Sequence, residues 1–343
     1  MPCWNGALTR KTPTVRVVAA PDKFRGTASA AEVAAAVARA AARVGWDCDE
    51  VPMADGGEGT LEVLGGPNRA TVVSGPLGDP VRAPWRLHRG TAVIEIAHAV
   101  GLTLAGGPDE NDPIAASTHG AGELIAAAVD AGAKRVIVCV GGSATTDGGL
   151  GAMRALFPAQ RLRGVDLLVA CDVRTTFVDA AEIFAPQKGA SVAQVELLRR
   201  RLERLAQVYR DEHGVDVTEL PGSGAAGGLA GGLAALGAEL VPGFDLVADE
   251  VALPDRVEGA DLIVTGEGFL DEQSFEGKVI GGVVELAATE RVPVVAVAGE
   301  VFDGVDARLP TVSLVERFGE DRALEETTAC IEEAVTEVLR SHA

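Results

Sequence analysis

The sequence predicts an α/β fold in which a doubly wound parallel sheet, of the flavodoxin or Rossmann type, carries a second, inserted α/β domain. An apolar strand near the start of the chain runs into a loop and an Ala-rich helix, and the same order of elements returns near the C-terminal end. The region between them has short strands separated by Gly and Pro turns. A chain of 343 residues is also long enough for two domains.

The first elements are predicted by apolar runs and by one capping signal. Residues 15–20 form an apolar strand, and residues 29–44 form an Ala-rich helix. Ser29 is the expected N-cap, and Glu32 is placed to complete a capping box. A second strand is expected at 48–52, leading into the loop MADGGEGT.

The C-terminal part repeats this pattern. Residues 261–265 predict a buried strand that runs into GEGFLDEQSFEGK, followed by a helix at 281–289. Further strands are expected at 292–297 and 311–314, and an amphipathic helix at 324–340 closes the chain. Two strands from the front and three from the back would form one five-stranded sheet.

The middle of the chain predicts a mixed domain. Short strands at 71–74, 83–87 and 92–96 suggest antiparallel pairing. Helices are expected at 120–131 and 192–213, and strands at 135–140 and 166–170. We therefore expect residues 14–72 and 259–343 to form a discontinuous doubly wound domain and 73–258 an inserted mixed α/β domain, with the active site in the cleft between them.

Composition excludes several classes of function. The net charge of −20 and a pI near 4.7 make nucleic acid and anionic lipid poor partners. The five scattered cysteines indicate reduced thiols in a cytoplasmic protein. We expect no membrane helix and no signal peptide, and we expect the first 14 residues to be a poorly ordered lead-in. The histidines show no metal-ligand spacing, and the sequence leaves the oligomeric state open, with a homodimer as one option.

Four glycine-rich segments also bear carboxylates or hydroxyls. Glycines let the backbone approach a ligand and present N–H groups to phosphate oxygens. In an open α/β sheet, ligands gather beyond the carboxyl ends of the strands. Any one segment is well explained as a tight turn, but four together indicate an anion-handling enzyme. The segments are residues 55–59, 141–149, 222–228 and 266–271.

Phosphoryl transfer needs cations, a metal held by carboxylates and a carboxylate that orients the acceptor hydroxyl. The carboxylates available in or after these segments are Asp55, Glu58, Asp147, Asp172, Glu267 and Asp271. Lysine is rare in this chain, yet Lys23, Lys188 and Lys278 lie in such loops. A solvated surface position is the alternative for any single lysine, and an Asx turn or helix cap is the alternative for Asp55 and Asp147.

Other nucleotide motifs fit less well. Residues Gly222, Gly224 and Gly227 match the dinucleotide fingerprint, but no clear apolar strand precedes them. The chain has no P-loop, and no histidine is placed to complete a hydrolase triad. The residues alone thus predict an α/β enzyme that handles phosphate or another anion, with the substrate open.

Nine motifs, in order along the chain, resemble those of the bacterial type 1 glycerate kinase family (glycerate 2-kinase). They are PDKFRGTASAAEVA, VPMADGGEGT, IEIAHAVGL, THGAGELI, GGSATTDGGLG, ACDV, APQKGA, GSGAAGG and TGEGFLDEQSFEGK. The resemblance runs from about residue 15 to the closing helix. It implies two α/β domains, dependence on ATP and Mg²⁺, and transfer of phosphate to D-glycerate to give 2-phosphoglycerate.

The positions and chemistry of individual residues, taken together with the resemblance, lead to hypotheses about their roles. Catalytic roles fall to Asp172, Asp271, Lys188 and Lys278. Asp172 and Asp271 are the preferred pair for holding Mg²⁺ or orienting the acceptor hydroxyl, and which does which is left open. Substrate binding falls to Asp22, Arg25, Asp55 and Glu58. Phosphate or nucleotide binding falls to Gly142, Ser143, Thr145, Asp147, Gly224, Gly227 and Glu267.

Several positions depart from the family pattern. Arg25 stands where the family has Lys, Thr146 where it has Asn, and Phe269 where it has Arg. Residues 174–176 read Arg-Thr-Thr instead of Asn-Pro-Leu, and the stretch between 156 and 166 is shorter than usual. A kinase for a related hydroxy acid, a non-catalytic nucleotide or hydroxy-acid binder of the same fold, and a nucleotide-cofactor oxidoreductase using residues 222–227 stay as alternatives.

Overall fold

The computed structural model describes residues 15–302, 304 and 308–342. The predicted N-terminal lead-in, with Cys3, lies outside the described residues. The chain divides into two compact units. Unit 1 comprises Met1–Pro52, Leu253–Glu272 and Val283–Ala343, and unit 2 comprises Met53–Ala252 and Gln273–Gly282.

The described residues form eleven β-strands: β1 (Arg16–Ala19), β2 (Asp47–Glu50), β3 (Arg69–Ser74), β4 (Pro80–His88), β5 (Thr91–Glu95), β6 (Arg135–Cys139), β7 (Asp166–Cys171), β8 (Glu239–Pro242), β9 (Leu262–Leu270), β10 (Val294–Val301) and β11 (Thr311–Ser313).

The described residues also form fourteen α-helices: α1 (Ala30–Val44), α2 (Thr60–Val63), α3 (Ala97–Val100), α4 (His119–Asp130), α5 (Leu150–Ala155), α6 (Ala180–Phe184), α7 (Val192–Val208), α8 (Ala225–Ala235), α9 (Gly243–Glu250), α10 (Leu253–Val257), α11 (Val279–Glu290), α12 (Leu314–Phe318), α13 (Glu320–Glu325) and α14 (Thr327–His342).

Unit 1 contains the predicted five-stranded parallel sheet, with strand order β11-β10-β9-β1-β2. The capping box that starts α1 is present, with Glu32 N donating to Ser29 Oγ and Ser29 N donating to Glu32 Oε2. Alanines and valines of α1 pack with α14 and with one face of the sheet in a single buried cluster. This Ala-rich packing lets the helices lie close to the strands.

Unit 2 contains a six-stranded sheet of order β3-β4-β5-β6-β7-β8. Strands β3, β4 and β5 pair antiparallel as predicted, whereas β5 to β8 are parallel. Alternate residues of β6 enter separate buried clusters, with Val136 and Val138 in one and Ile137 in another. The sheet is therefore covered on both faces, which explains the continuous apolar runs of its central strands.

The unit boundaries differ from the predicted 72 and 258. The chain enters unit 2 at Met53, because the loop after β2 packs on unit 2. A Cβ on Gly56 would lie 2.7 Å from Gly243 Cα and 2.9 Å from Ala170 Cβ. Leu61 shares a buried cluster with β6 and β7. Residues 273–282 also belong to unit 2.

Two local predictions were wrong, and two elements were not predicted. The expected loop at 266–270 continues strand β9, which pairs with β10 through Glu267 and Phe269. Helix α8 begins within the predicted glycine-rich loop 222–228, whose residues 226–228 keep non-helical φ/ψ. Neither α8 nor β8 was predicted. The closing helix is two helices, α13 and α14, broken at Glu326, whose backbone leaves the helical region. For β9, β8 and α8, tertiary pairing or packing outweighs local propensity.

None of the helices in the described residues is long and apolar enough to cross a membrane. Among the same residues, Cys48, Cys139, Cys171 and Cys330 carry free thiols. Burial raises the pKa of Cys48 to about 12 and that of Cys171 to about 11, so both are protonated and unreactive at neutral pH.

Candidate active site

Unit 2 has a cavity of about 350 Å³ at the carboxyl ends of β6 and β7. The turn after β6 supplies Gly142 and Ser143, and the residue after β7 is Asp172. Lys188 reaches it from a short 3₁₀ turn, Pro186–Lys188. Four of the residues predicted from sequence therefore line one cavity, at the edge where ligands of parallel α/β sheets bind.

Lys188 is the most unusual side chain of this cavity, because it is a lysine with only 4% of its surface exposed. Its Nζ donates to Ser143 Oγ at 2.9 Å and to the Thr145 carbonyl at 2.6 Å. Burial lowers the pKa of Lys188 to about 7, and the negative charge of Asp147 partly offsets that effect. The ammonium thus lies next to the loop predicted to hold phosphate, where an anion would favour its charged form.

Asn111 was not predicted, and it joins the two segments that carry Ser143 and Lys188. Its Nδ2 donates to the carbonyls of Ala144 and Lys188, at 3.1 and 2.8 Å. Thr145 is fully buried, and its hydroxyl has no hydrogen-bond partner among the described residues. The loop is therefore held through its backbone carbonyls, and phosphate binding by Thr145 stays a prediction.

The glycines of the 222–228 segment permit close backbone packing. A Cβ on Gly227, whose φ is +66°, would lie 2.0 Å from the Thr145 carbonyl, and one on Gly224 would lie 2.3 Å from that of Thr176. Gly148 N donates to the Gly227 carbonyl. Within the described residues no strand lies between β7 and this segment, so it lacks the strand that a dinucleotide fingerprint requires. Nucleotide contacts by these glycines stay a prediction.

Asp147 has a structural place in unit 2. Its carboxylate accepts hydrogen bonds from Thr118 N, Thr118 Oγ1, Gly149 N and Gly151 N, at 2.9 to 3.1 Å. It thereby joins the start of α4 to the start of α5, as the helix-cap alternative expects. Asp55 accepts from Gly57 N at 3.0 Å, which is the Asx turn considered from sequence. Ligand binding by either carboxylate stays a prediction.

The 55–59 loop nevertheless lies against the phosphate-binding candidate loop. A Cβ on Gly141 would lie 3.2 Å from Gly57 Cα and 3.3 Å from Glu58 N. Asp55 and Glu58, the predicted substrate-binding residues of unit 2, are thus neighbours of the turn that leads to Gly142 and Ser143.

His98 is a second residue that sequence reasoning missed. It follows β5 on helix α3, and Leu102 N just after that helix donates to the Gly142 carbonyl. His98 Nε2 lies 3.4 Å from Oε2 of the buried Glu95. The hydrogen bond to Glu95 raises the pKa of His98, burial acts against it, and the charge of Glu58 adds to the rise. The signal was the Glu-x-x-His spacing that begins within the predicted strand 92–96.

Lys278 lies in the segment of unit 2 that follows β9. A Cβ on the preceding Gly277 would lie 3.9 Å from the Asp172 carbonyl oxygen, so this segment runs beside the end of β7. Lys278 is half-buried. Its catalytic role stays a prediction, and its position near Asp172 is compatible with it.

The other predicted residues lie in unit 1. Asp22 N donates to the Gly266 carbonyl at 2.8 Å, and a Cβ on Gly268 would lie 3.3 Å from Arg25 N. The loop after β1, with Asp22 and Arg25, therefore flanks the part of β9 that carries Glu267, and Asp271 directly follows that strand. These four residues form a group at the carboxyl end of the unit 1 sheet.

The described residues contain no group of three or more His, Cys, Asp or Glu side chains that could hold a metal ion. Mg²⁺ in phosphoryl-transfer sites is usually held by one or two carboxylates together with substrate phosphates and water. The single Asp172 carboxylate in the unit 2 cavity fits that kind of site.

Comparison with known proteins gives one consistent result. A family model described as the glycerate kinase family matches residues 17–157 and 158–343. The glycerate 2-kinase of Escherichia coli K12 is 38% identical, over 85% of this chain and 87% of that protein. The glycerate kinase of Halalkalibacterium halodurans is 36% identical, over 94% and 97%. A crystal structure described as "putative glycerate kinase 2" from Salmonella typhimurium LT2 superposes with a TM-score of 0.82 at 33% identity, covering 96% of this chain and 98% of that one.

Proposed function

The chain belongs to the glycerate kinase family, and on that premise we propose that it transfers the γ-phosphoryl group of ATP to D-glycerate, giving 2-phosphoglycerate. The observation that carries the proposal is the unit 2 cavity, in which the buried Lys188 ammonium meets the Gly142–Ser143 turn and Asp172. This combination of a cation, backbone N–H groups and a carboxylate is what phosphoryl transfer uses.

Lys188 and the turn after β6 would bind the transferred phosphate. A phosphate oxygen could replace Ser143 Oγ as an acceptor of Lys188, and the exposed Gly142 leaves the backbone open to a ligand. Because Asn111 and the Thr145 carbonyl hold this arrangement in place, little reorganisation is needed when ATP binds. Lys278 would add a second cation, and Gly224 and Gly227 keep the neighbouring backbone close.

Mg²⁺ would be held by Asp172 together with phosphate oxygens, with Asp271 as the second predicted carboxylate. The ion would neutralise charge on the phosphates of ATP. Whichever of Asp172 and Asp271 does not hold the ion would orient the acceptor hydroxyl. That the two carboxylates act on one substrate, and that the active site lies between the two units, stay predictions.

The acceptor acid would be recognised by Asp22 and Arg25 and by the 55–59 loop. Arg25 is exposed and its forked guanidinium suits a carboxylate, which is compatible with its place where the family has Lys. Phe269, in place of the family Arg, is half exposed and packs near Phe302. These differences concern the acceptor side, so a related small hydroxy acid is the second candidate substrate.

We also propose a cytoplasmic location and no nucleic-acid partner. The free thiols of the described cysteines support the cytoplasmic location. The acidic composition supports the proposal that nucleic acid is not a partner.

The test is ADP release with ATP, Mg²⁺ and a panel of small hydroxy acids, D-glycerate among them. We expect Asp172→Asn, Asp271→Asn and Lys188→Ala each to lower kcat/KM by about a hundredfold or more. Matched controls are Asp130→Asn and Lys134→Ala, whose side chains are exposed in unit 2. These controls should retain wild-type turnover.

Two results would contradict parts of the proposal. Wild-type turnover in all three site variants would refute the residue assignment. Nucleotide binding without ADP release with any acid would favour the non-catalytic alternative instead.

A further inference from the structure

We propose that unit 2 contains a second ligand site, separate from the cavity at Lys188, which takes a small organic anion with an apolar body. The site is a cavity of about 620 Å³ between helix α7, the start of α5 and the segment 113–117. It shares no lining residue with the cavity at Lys188. It is also larger, and large enough for a ligand of drug-like size.

The wall of this second cavity is apolar. Its larger aliphatic side chains come mainly from one stripe of α7, at helical spacing, with one from α5 and one from the 113–117 segment. They are Ile114, Leu150, Leu198, Leu202, Leu205 and Val208. Such a wall would bury the hydrocarbon part of a ligand and favours an aromatic or branched aliphatic body.

Four arginines border this apolar wall, in a chain whose net charge is −20. They are Arg154, Arg200, Arg201 and Arg204, all exposed. The one acidic residue in the lining is Asp147, whose carboxylate already accepts four hydrogen bonds. The border is therefore locally cationic and would attract a carboxylate, phosphate or sulfonate.

The partners of these arginines leave capacity for a ligand. Arg200 pairs with Glu196, Arg201 donates to the Ile114 carbonyl, and Arg204 donates to the neutral Gln207. No ion pair or side-chain hydrogen bond joins Arg154 to another of the residues that the structure describes. Because a guanidinium has five N–H donors, at least Arg154 and Arg204 can bind an anion without breaking an existing ion pair.

A further observation points to a ligand at this place. Thr146 lines the cavity and is 1% exposed, yet its hydroxyl has no hydrogen-bond partner among the described residues. A buried hydroxyl without a partner costs free energy, which a ligand atom could recover. Thr146 is also a position at which this chain differs from its family.

The second cavity and the cavity at Lys188 are built on the same loop. That loop supplies Gly142 and Ser143 to one and Thr146 and Asp147 to the other, and the Thr145 carbonyl between them accepts from Lys188. A ligand that moves Thr146 would therefore shift the carbonyl that positions Lys188. We expect occupancy to change the KM for ATP, and this consequence rests on the proposed kinase function.

Binding is tested without ATP or glycerate, so that its outcome does not depend on the kinase proposal. The probe is 8-anilinonaphthalene-1-sulfonate, an anion with an apolar body, followed by fluorescence on the folded protein. Its neutral analogue N-phenyl-1-naphthylamine has the same body without the sulfonate. The variant is Arg154→Gln/Arg204→Gln, and the matched control is Arg163→Gln/Arg340→Gln, two exposed arginines outside the cavity. Thermal unfolding verifies that both variants are folded.

We expect the double variant to weaken sulfonate binding about tenfold, while the control leaves it unchanged. The neutral analogue should not distinguish the variants. Equal sulfonate affinity in wild type and the double variant would overturn the site. The site would also be overturned if the wild-type protein is a dimer that dissociates both in the double variant and on probe binding, because the cavity would then be an interface between two copies. An unchanged KM for ATP in the presence of saturating probe would overturn the coupling.

Discussion

Lys188 leads to a prediction about pH, because its burial sets the charge of the candidate site. Burial lowers the pKa of its ammonium from 10.5 to about 7. This corresponds to roughly 5 kcal/mol in favour of the neutral amine. In the free protein the ammonium should therefore be about half populated at pH 7 and about one-hundredth populated at pH 9.

If the ammonium binds the phosphates of ATP, kcat/KM for ATP should fall about tenfold for each pH unit above about 7, since kcat/KM for ATP reports the form of the enzyme that has not yet bound ATP. Lys188→Arg introduces a guanidinium that stays charged throughout this range. We expect Lys188→Arg to lower kcat/KM about ten- to a hundredfold at pH 7, because the side chain is larger, and to remove the alkaline decrease.

The assay is the initial rate of ADP release between pH 6 and 9, with ATP varied at saturating glycerate. Ionisation of the substrate affects both enzymes alike, so the difference between them isolates Lys188. Lys134→Arg is the matched control and should keep the wild-type profile. A wild-type profile that is flat from pH 6 to 9, or an alkaline decrease that persists in Lys188→Arg, would refute the reasoning.

Three further predictions concern stability. The pKa of Lys188 is lower in the folded chain than in the unfolded chain, so the unfolded chain binds more protons between about pH 7 and 10.5. The unfolding free energy of wild type, measured by urea denaturation, should therefore rise relative to that of Lys188→Met by about 2 kcal/mol from pH 7.5 to 9. If the difference in unfolding free energy between wild type and Lys188→Met does not change over this pH range, burial does not stabilise the neutral amine of Lys188. Asp147→Ala removes an acceptor of four hydrogen bonds and should lower the unfolding free energy by roughly 2–4 kcal/mol. Asp55→Ala loses one hydrogen bond and should lower it by about 1 kcal/mol, and equal losses in the two variants would contradict the capping role of Asp147. Gly227→Ala places a Cβ 2.0 Å from the Thr145 carbonyl oxygen and should lower the unfolding free energy by more than about 2 kcal/mol. Gly214 also has a positive φ but has open space around it, so Gly214→Ala should lower the unfolding free energy by about 1 kcal/mol. Similar losses in the two variants would show that close packing at Gly227 is not the cause.

Much of the fold was predictable because local signals and tertiary structure agree. The capping box of Ser29 and Glu32 marked the start of α1, and the apolar runs marked the buried strands of both sheets. The parallel five-stranded sheet of unit 1 followed from strands at both ends of the chain. These elements are determined by periodicity and capping, which can be read without knowledge of the partners.

Two of the discrepancies occur in segments where glycine obscures the local signal. Gly266 lies within β9, and this strand position requires glycine because a Cβ there would clash with the Val297 carbonyl. The sequence does not reveal that contact. Helix α8 forms in a segment of poor helix propensity because its residues pack into the core of unit 2. Pairing and burial with distant segments decide both cases.

The candidate site was predicted in part. Gly142, Ser143 and Asp172 follow predicted strands, Lys188 lies in the loop FAPQKG, and all four line one cavity. Asn111 was missed because its contacts are to backbone carbonyls 33 and 77 residues away along the chain. The burial of Lys188 was also not predictable, since an isolated lysine is normally a surface residue.

The most direct test of the proposed function is the product itself. D-Glycerate, ATP and Mg²⁺ are incubated with the protein, and the reaction is followed by ³¹P NMR with proton coupling. Transfer to the 2-hydroxyl places the phosphorus next to a single methine proton, so we predict a new monoester signal split into a doublet, with ADP formed in equal amount. A triplet would indicate transfer to the 3-hydroxyl and would correct the product. No glycerate-dependent monoester signal would contradict the proposed function.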